Sequence, residues 1–415
     1  MSDADSSSPQ SADPTTREPG DARSGRFTSA TSVTSPANSS SATDATDSTK
    51  PTVAIVFGGR SSEHAVSCAT AAGVMRAIDR DAYNVLPIGI AKDGRWVLAS
   101  ADTAALELSA GHVPEVDGSG AGVLIPLSTT ERSLSILEPG APPRALGEVD
   151  VVFPLLHGPF GEDGTIQGLL ELADLRYVGS GVLASAVMMD KHYMKVVFAG
   201  HGLAVGPYVV ITDREWLRDP AASMDAVASL DWPVFVKPAR AGSSMGITKV
   251  SRPEDLPAAI EFAREHDPKV IVEAAIVGRE IECAVLEGRE GATPRTSQVG
   301  EIEVVKGHEF YDFEAKYLAE SDVVLSCPAR LPDDVSDEIR RISAAAFEAA
   351  GCEGLARVDC FYTEHGEVII NEINTMPGFT PQSMYPKMWA ASGMAYPDLI
   401  DELIQLALAR RTGLR

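Results

Sequence analysis

From residue 52 onward, short apolar runs alternate with amphipathic segments. The run Thr52–Phe57 is almost wholly apolar and β-branched, a pattern typical of a buried parallel strand. A helical pattern follows from about Ala65 to Asp79, and Ser61 or Ser62 is expected to cap its N-terminus.

The same order of elements returns further along the chain. Residues 149–155 predict a second strand, which leads through a glycine-rich loop into a helix near residues 166–172. Strand–loop–helix units of this kind predict an α/β domain with a parallel sheet. Because such domains bind ligands at the carboxyl ends of their strands, Glu63 and His157, which follow the two strands, are candidate site residues.

The pattern changes from about residue 180, where an α+β arrangement is predicted. The segments predicted as strands are 233–237, 246–250, 270–273, 280–285, 356–361 and 367–373, the last two as an antiparallel pair. Helices are predicted near residues 336–350 and 397–410. Alternation within residues 280–285 places Glu280 and Glu282 on one face of their strand.

The first 49 residues differ in composition from the rest. They consist largely of Ser, Thr, Ala, Asp and Pro, which bury too little apolar surface to offset the entropy of ordering. We expect a disordered tail at 1–49, an α/β domain at 51–179, and two further subdomains at 180–277 and 278–415.

Charge and cysteine usage narrow the classes of function. The chain has 35 Lys and Arg against 59 Asp and Glu, a formal charge of −24, which disfavours nucleic acid and anionic membranes as partners. Its 5 cysteines form no CxxC pair, so neither a disulfide framework nor a zinc site is expected. With no apolar run near the ~20 residues of a membrane helix and no signal-peptide pattern, we expect a cytoplasmic protein.

Several polar groups point to nucleotide and metal chemistry. Lys237 ends a predicted strand and precedes a Gly/Ser loop of the kind that cradles phosphate, although a plain glycine hairpin fits equally well. Asp359, Glu372 and Asn374 offer the hard oxygen ligands that magnesium prefers, the alternative being a surface salt bridge from Arg357.

Three further features leave more than one interpretation open. Glu273 and Glu280 suit the polar contacts of a nucleotide, or are simply solvated acids. His157 lies in a glycine-rich stretch that suggests a loop closing over small ligands, yet a lone histidine is more often structural. Residues 310–317 form an irregular polar-aromatic stretch that predicts either an active-site lid or a surface loop.

Taken together, six motifs in order resemble the D-alanine–D-alanine ligases of the ATP-grasp superfamily. The resemblance covers residues 51–415 and rests on the segments 58–67, 157–168, 237–246, 314–317, 357–359 and 371–380. It implies an N-terminal parallel α/β domain followed by an ATP-grasp fold of two α+β subdomains. It also implies ATP as a substrate, two Mg²⁺ or Mn²⁺ ions, and a homodimer that makes the D-alanyl-D-alanine of peptidoglycan precursors.

The resemblance further implies a role for each site residue. ATP binding would involve Lys191, Lys237, Ser244, Glu273, Ile276, Glu280 and Phe310. The metal ligands would be Asp359, Glu372 and Asn374. Glu63, Ser243 and Tyr317 would form a hydrogen-bonded triad, and Arg357 with the N–H of Gly378 would stabilise the oxyanion. His157, Lys316, Ser383 and Met384 would contact the two substrates.

Other functions remain open at this point. A D-alanine–D-lactate or D-alanine–D-serine ligase is the nearest alternative, but the intact Tyr317 segment and Met384 favour D-alanine as the second substrate. A non-catalytic nucleotide-binding protein is disfavoured because every expected acid, lysine and arginine is present. An ATP-grasp ligase for a larger acid is disfavoured because the Glu63 and His157 motifs form a small zwitterion pocket in the family.

Overall fold

The computed structural model describes residues 49–108, 111–126, 128–130, 133–304 and 323–413. These residues belong to one compact unit and contain three sheets.

The first sheet is built from the N-terminal part of the chain. Its strands are β1 (Thr52–Gly58), β2 (Asn84–Ile90), β3 (Trp96–Leu98), β4 (Gly122–Leu124), β5 (Ser133–Leu137), β6 (Arg144–Glu148), β7 (Val151–Pro154) and β8 (Arg176–Tyr177). They lie in the order β6-β5-β4-β3-β2-β1-β7-β8, and the four strands from β2 to β8 in that order are parallel. The helices α1 (His64–Ala77) and α2 (Thr165–Leu172) follow β1 and β7, which confirms the predicted strand–loop–helix units.

The cap predicted for α1 is wrong. Glu63 is the N-cap residue, and no side chain caps the helix. The Ser61 hydroxyl instead donates to the carbonyl of His157 at 2.7 Å and accepts from the N–H of Glu63 at 3.2 Å. Ser61 therefore ties the loop after β1 to the loop after β7, a partner that the local sequence pattern does not reveal.

The second sheet is antiparallel and lies in the middle of the chain. Its strands are β9 (Tyr208–Ile211), β10 (Val234–Pro238), β11 (Thr248–Val250) and β12 (Val270–Ala274), in the order β11-β10-β12-β9. The helices of this region are α3 (Val182–Met189), α4 (Lys191–Gly200), α5 (Asp213–Arg218), α6 (Pro220–Val227) and α7 (Leu256–Arg264). Apolar residues of α7 pack with β10 and β12 in a core of their own.

The third sheet is also antiparallel. Its strands are β13 (Gly278–Leu286), β14 (Arg295–Val304), β15 (Val323–Ser326), β16 (Leu355–Thr363) and β17 (Val368–Asn374), in the order β15-β14-β13-β16-β17. Helices α8 (Asp333–Ala349), α9 (Met384–Ala391) and α10 (Tyr396–Ala409) complete the region. The predicted antiparallel pair is confirmed as β16 and β17, with Asp359 directly opposite Glu372.

The largest core joins the two ends of the described chain. Phe57 and Phe153 on the first sheet are fully buried together with Tyr385 on α9 and Leu403 on α10. Helix α10 thus packs onto the first sheet, far from it in sequence. A hydrogen bond from the Tyr83 hydroxyl to Asp401 on α10 joins residues that lie 318 positions apart. None of the helices described is long and apolar enough to cross a membrane.

We expect Phe153→Ala to lower the free energy of unfolding by about 3–5 kcal/mol, because it opens a cavity in this shared core. The Phe153 ring is fully buried and packs edge-on against Phe379, with the ring centroids 6.0 Å apart. Urea denaturation followed by tryptophan fluorescence measures the change. Leu172→Ala, at a side chain that is 68% exposed, is the control and should change the value by less than about 0.5 kcal/mol. Equal losses in the two variants would contradict the shared core.

Candidate active site

A cavity of about 1600 Å³ opens between the three sheets. The loops after β1, β7 and β10 line it, together with strands β12, β13, β16 and β17 and the segment 371–384. Every predicted site residue within the described ranges lines this cavity, namely Glu63, His157, Lys191, Lys237, Ser243, Ser244, Glu273, Ile276, Glu280, Arg357, Asp359, Glu372, Asn374, Gly378, Ser383 and Met384. Phe310, Lys316 and Tyr317 lie outside the described residues.

One wall of the cavity carries two lysines that share a carboxylate. Glu273 on β12 lies 2.8 Å from Lys195 Nζ and 2.5 Å from Lys237 Nζ. Burial alone would raise the pKa of Glu273, but the two ammonium groups outweigh it and hold that pKa well below its usual value. Burial would likewise lower the pKa of Lys237, and Glu273 more than offsets it. Glu273 and Lys237 are therefore charged at neutral pH, and the contacts with Lys195 and Lys237 hold the Glu273 carboxylate in place.

Lys191 begins α4 and reaches the same space from another side. Its Nζ donates to the carbonyl of Ala241 at 2.8 Å and lies 3.8 Å from Glu372 Oε2. Asp190 fixes the start of this helix by accepting the N–H groups of His192 and Tyr193. Lys191 thus connects the β10–β11 loop to the Glu372 carboxylate on β17.

The β10–β11 loop bends sharply into the cavity. Ser243 and Ser244 have left-handed backbone conformations, with φ of 48° and 57°. Residues other than glycine and asparagine rarely adopt them. The Ser243 hydroxyl donates to Glu63 Oε1 in a short hydrogen bond. This bond joins the second sheet to the N-terminus of α1.

The Glu63 carboxylate is enclosed by backbone. A Cβ added to Gly158 would lie 2.5 Å from Glu63 Oε2, and one added to Gly242 would lie 2.9 Å from the same atom. Gly158 also has a left-handed φ of 71°, which favours glycine, and the missing side chain at both positions leaves space for the end of the Glu63 side chain. Glu63 is buried, and it faces the cavity.

His157 is held as a neutral imidazole beside Glu63. Its Nδ1 donates to the carbonyl of Met376 at 3.2 Å, which leaves Nε2 to accept from the Thr70 hydroxyl at 3.3 Å. Burial lowers the pKa of His157, while the Glu63 charge acts in the opposite direction. The ring therefore connects α1, the β7–α2 loop and the segment after β17.

Glu162 lies in the same loop as His157. Its carboxylate oxygens accept the N–H of Gly158 at 2.6 Å and the N–H of Met376 at 3.3 Å. Burial, reinforced by the Glu63 charge, raises the pKa of Glu162 to about 8. At neutral pH this group is largely protonated.

The far wall is formed by charged side chains on β13, β16 and β17. Arg357 Nε and Nη2 each donate to Asp359 at 2.7 Å, and Nε lies 3.2 Å from Glu282 Oε1. Asn374 Nδ2 donates to Asp359 Oδ2 at 3.0 Å. The ion pair that was the alternative to a metal site does form, but it lies in the cavity wall rather than on the open surface.

The chemistry of these donors fits magnesium. Asp359 and Glu372 are directly opposite across β16 and β17, and Asn374 supplies an amide oxygen beside them. Within the described ranges there is no cluster of three or more His, Cys, Asp or Glu suited to a metal. A cation here would take its other ligands from water and a bound phosphate, which is how magnesium usually binds.

Residues 378–384 line one end of the cavity and contact one another closely. The Ser383 hydroxyl lies 2.8 Å from Thr380 Oγ1 and accepts the N–H of Thr380 at 3.1 Å. Gly378 runs close beside Ser383, since an added Cβ would lie 3.3 Å from the Ser383 hydroxyl oxygen. Met384 is buried and fills the space above Gly300.

Sequence reasoning assigned no role to several polar residues of the cavity, among them Glu162, Lys195 and Glu282. Lys195 follows Lys191 by four positions on α4, a spacing that places both on one face of a helix and could have identified it. The strand alternation did put Glu282 beside Glu280, which the structure confirms.

The chain is similar to known proteins over most of its length. Residues 52–180 match the family model described as D-ala D-ala ligase N-terminus, and residues 197–405 match D-ala D-ala ligase C-terminus. It is 66% identical over 367 residues to the D-alanine–D-alanine ligase of Arthrobacter sp. (strain FB24), covering 88% of this chain and 96% of that protein. It is 56% identical over 374 residues to the ligase of the same name from Streptomyces griseus, covering 88% and 95%.

The chain is also similar to solved structures of ligases of this kind. The crystal structure of the VanG D-Ala:D-Ser ligase from Enterococcus faecalis superposes with a TM-score of 0.74 at 35% identity, covering 86% of this chain and 99% of that one. The D-alanine–D-alanine ligase of Coxiella burnetii gives a TM-score of 0.72 at 33% identity, covering 86% and 94%. The expected ATP-grasp architecture is confirmed, and the chain belongs to the D-alanine–D-alanine ligase family.

Proposed function

We propose that this protein uses ATP to join two D-alanines through a D-alanyl phosphate, supplying D-alanyl-D-alanine for peptidoglycan precursors. The observation that carries the proposal is one cavity that combines a carboxylate enclosed by backbone, Glu63, with a lysine-rich wall and an arginine–carboxylate wall. Identity of 55–66% to curated D-alanine–D-alanine ligases supports this choice of substrate.

The lysine-rich wall is the proposed nucleotide site. Lys191 and Lys237 would neutralise phosphate oxygens, and the N–H groups of the Ser243–Ser244 turn would bind them. The carboxylate of Glu273, fixed by two lysines, would accept hydrogen bonds from the nucleotide together with Glu280, while Ile276 and Phe310 would contact the base. ATP carries several negative charges, and these lysines supply the positive charge that an acidic chain must concentrate locally.

Asp359, Glu372 and Asn374 are the proposed ligands of two Mg²⁺ or Mn²⁺ ions. Such ions, when bound, neutralise the phosphate charge that builds up during phosphoryl transfer. Arg357 lies beside these ligands and, with the N–H of Gly378, would stabilise the oxyanion formed when the second amine attacks.

The remaining residues are proposed to hold the two amino acids. Glu63 would bind the ammonium group of the first D-alanine, and His157 would lie near its carboxylate. Lys316, Ser383 and Met384 would bind the second D-alanine. The Ser243 hydroxyl is already bonded to Glu63, and Tyr317 would complete this triad when the segment that carries it covers the site.

An acyl-phosphate hydrolyses readily, so the site must exclude water. We further propose that the protein acts in the cytoplasm as a homodimer. The free cysteines of the described part support a reducing compartment.

Competition between substrates tests the choice of second substrate. With D-alanine, D-lactate and D-serine offered together at neutral pH, we expect D-alanyl-D-alanine as the main product, measured by mass spectrometry. Phosphate release should require D-alanine. A dominant depsipeptide or D-alanyl-D-serine would replace our choice by one of the alternatives, and ATP binding without turnover would support a non-catalytic protein.

We expect Glu63→Gln to raise the KM for the first D-alanine by about tenfold to a hundredfold, the effect of losing one buried charge-assisted hydrogen bond. The KM for ATP should change much less. Glu115→Gln is the matched control, because Glu115 is an exposed acid of the same region that pairs with Lys92 at 2.8 Å. D-alanine kinetics that are the same in the two variants would contradict the role of Glu63.

Glu162 gives a pH-dependent prediction. Its pKa is raised from 4.5 to about 8 in the folded protein, so the native state binds more protons than the unfolded state between these values. Stability contributed by this group is therefore present below about pH 4.5 and is lost as the pH rises to about 8. The stability of the wild type relative to Glu162→Gln should fall over this interval in urea titrations. A difference that does not vary with pH would show that the group titrates normally.

A further inference from the structure

Glu282 is a buried carboxylate of the cavity for which the proposed mechanism has no role. It lies on β13, is only 4% exposed, and is directly opposite Asp359 on β16. Its Oε1 lies 3.2 Å from Arg357 Nε. Glu282 and Asp359 therefore approach the same guanidinium from neighbouring strands.

The carboxylate oxygens of Asp359 accept hydrogen bonds in the structure and are also the proposed ligands of a divalent cation. In the structure both oxygens accept from Arg357 at 2.7 Å, and Oδ2 also accepts from Asn374. A carboxylate that binds a divalent cation presents those same oxygens to the metal. Each carboxylate oxygen has two lone pairs, so a cation at Oδ2 displaces Arg357 or Asn374. A cation at Oδ1 shares that oxygen with Arg357 and weakens its hydrogen bond, because the two positive charges repel.

Because Arg357 is buried, losing its carboxylate partner would destabilise the protein. The side chains of Arg357, Glu282 and Asp359 are 16%, 5% and 14% exposed. Leaving a buried guanidinium without a carboxylate is strongly destabilising, so a second acceptor near Arg357 matters more here than on a surface.

Building on the ligase function proposed above, we propose that Glu282 is a positioning residue for Arg357. When Asp359 turns to a divalent cation, Glu282 keeps the guanidinium paired and directed into the cavity. The metal ligand and the oxyanion donor are then available at the same time, although they bond to each other without the metal.

A purely electrostatic effect of Glu282 on the cation is the competing explanation. Removing any nearby negative charge weakens cation binding, whether or not Arg357 is present. The proposed role instead acts through Arg357, so it disappears once Arg357 is replaced. A double-mutant cycle separates the two explanations.

The experiment measures Mn²⁺ binding by electron paramagnetic resonance with saturating ADP, so it needs no turnover. The full-length variants are Glu282→Gln, Arg357→Gln and the double variant. We expect Glu282→Gln to weaken Mn²⁺ binding about tenfold, a coupling typical of charges in one network. In the Arg357→Gln background the same change should have less than about a twofold effect. An equal loss in both backgrounds, or no loss in either, overturns the proposal.

Glu301→Gln is the matched control. Glu301 lies on β14 of the same sheet and forms an equivalent fork with Arg279, at 2.7 Å to each oxygen, but it does not line the cavity. It should leave Mn²⁺ binding unchanged. A weakening equal to that of Glu282→Gln would show a general effect of charge removal and contradict the proposal.

Steady-state kinetics add an independent readout. Glu282→Gln should lower kcat about tenfold or more, as expected when an oxyanion donor is misplaced, with little change in the KM for ATP. Glu282→Asp retains the charge and should recover part of the kcat. If Glu282→Gln does not fold, Glu282→Asp is compared with the wild type instead. If Glu282→Asp and Glu282→Gln both keep the wild-type kcat and the wild-type Mn²⁺ affinity, the inference is wrong. If the wild type binds Mn²⁺ with ADP but makes no dipeptide, the proposed function fails, and the binding cycle still decides the role of Glu282.

Discussion

The structure depends on the pairing of buried charges around one cavity. A chain with a formal charge of −24 places lysines and an arginine in a partly buried space, which is tolerable only if each charge finds a partner. Lys195 and Lys237 share Glu273, and Arg357 pairs with Asp359 and Glu282. Arg357 and Asp359 lie on the same strand, but the other pairs join different strands and helices, so they hold the walls of the cavity in register.

The same pairing explains how the site can be both stable and reactive. Each of these basic side chains is oriented before any ligand arrives, which lowers the cost of organising the site during a reaction. The carboxylates that hold the cations are also the groups proposed to bind nucleotide and metal. Ligand binding therefore redistributes existing ion pairs rather than bringing bare charges together.

The first substrate would meet a different kind of organisation. Glu63 is fixed by Ser243 from the second sheet and enclosed by glycines of two loops. His157 adds a neutral ring held between α1 and the segment after β17. Since these contacts come from every part of the described chain, the pocket forms only when the three sheets are assembled.

The sequence by itself determined the local elements and the family of the chain, and it named the candidate site residues. Apolar runs predicted β1, β7, β12, β16 and β17 to within a few residues, because burial selects apolar side chains at regular spacing. The ordered motifs predicted the family, and the structure brings the candidate residues that it describes into one cavity. Only the tertiary structure decided which polar and charged groups contact one another. Ser61 bonding His157, Lys195 reaching Glu273 and Glu282 reaching Arg357 are contacts between distant segments, and hydrophobic periodicity carries no information about such partners.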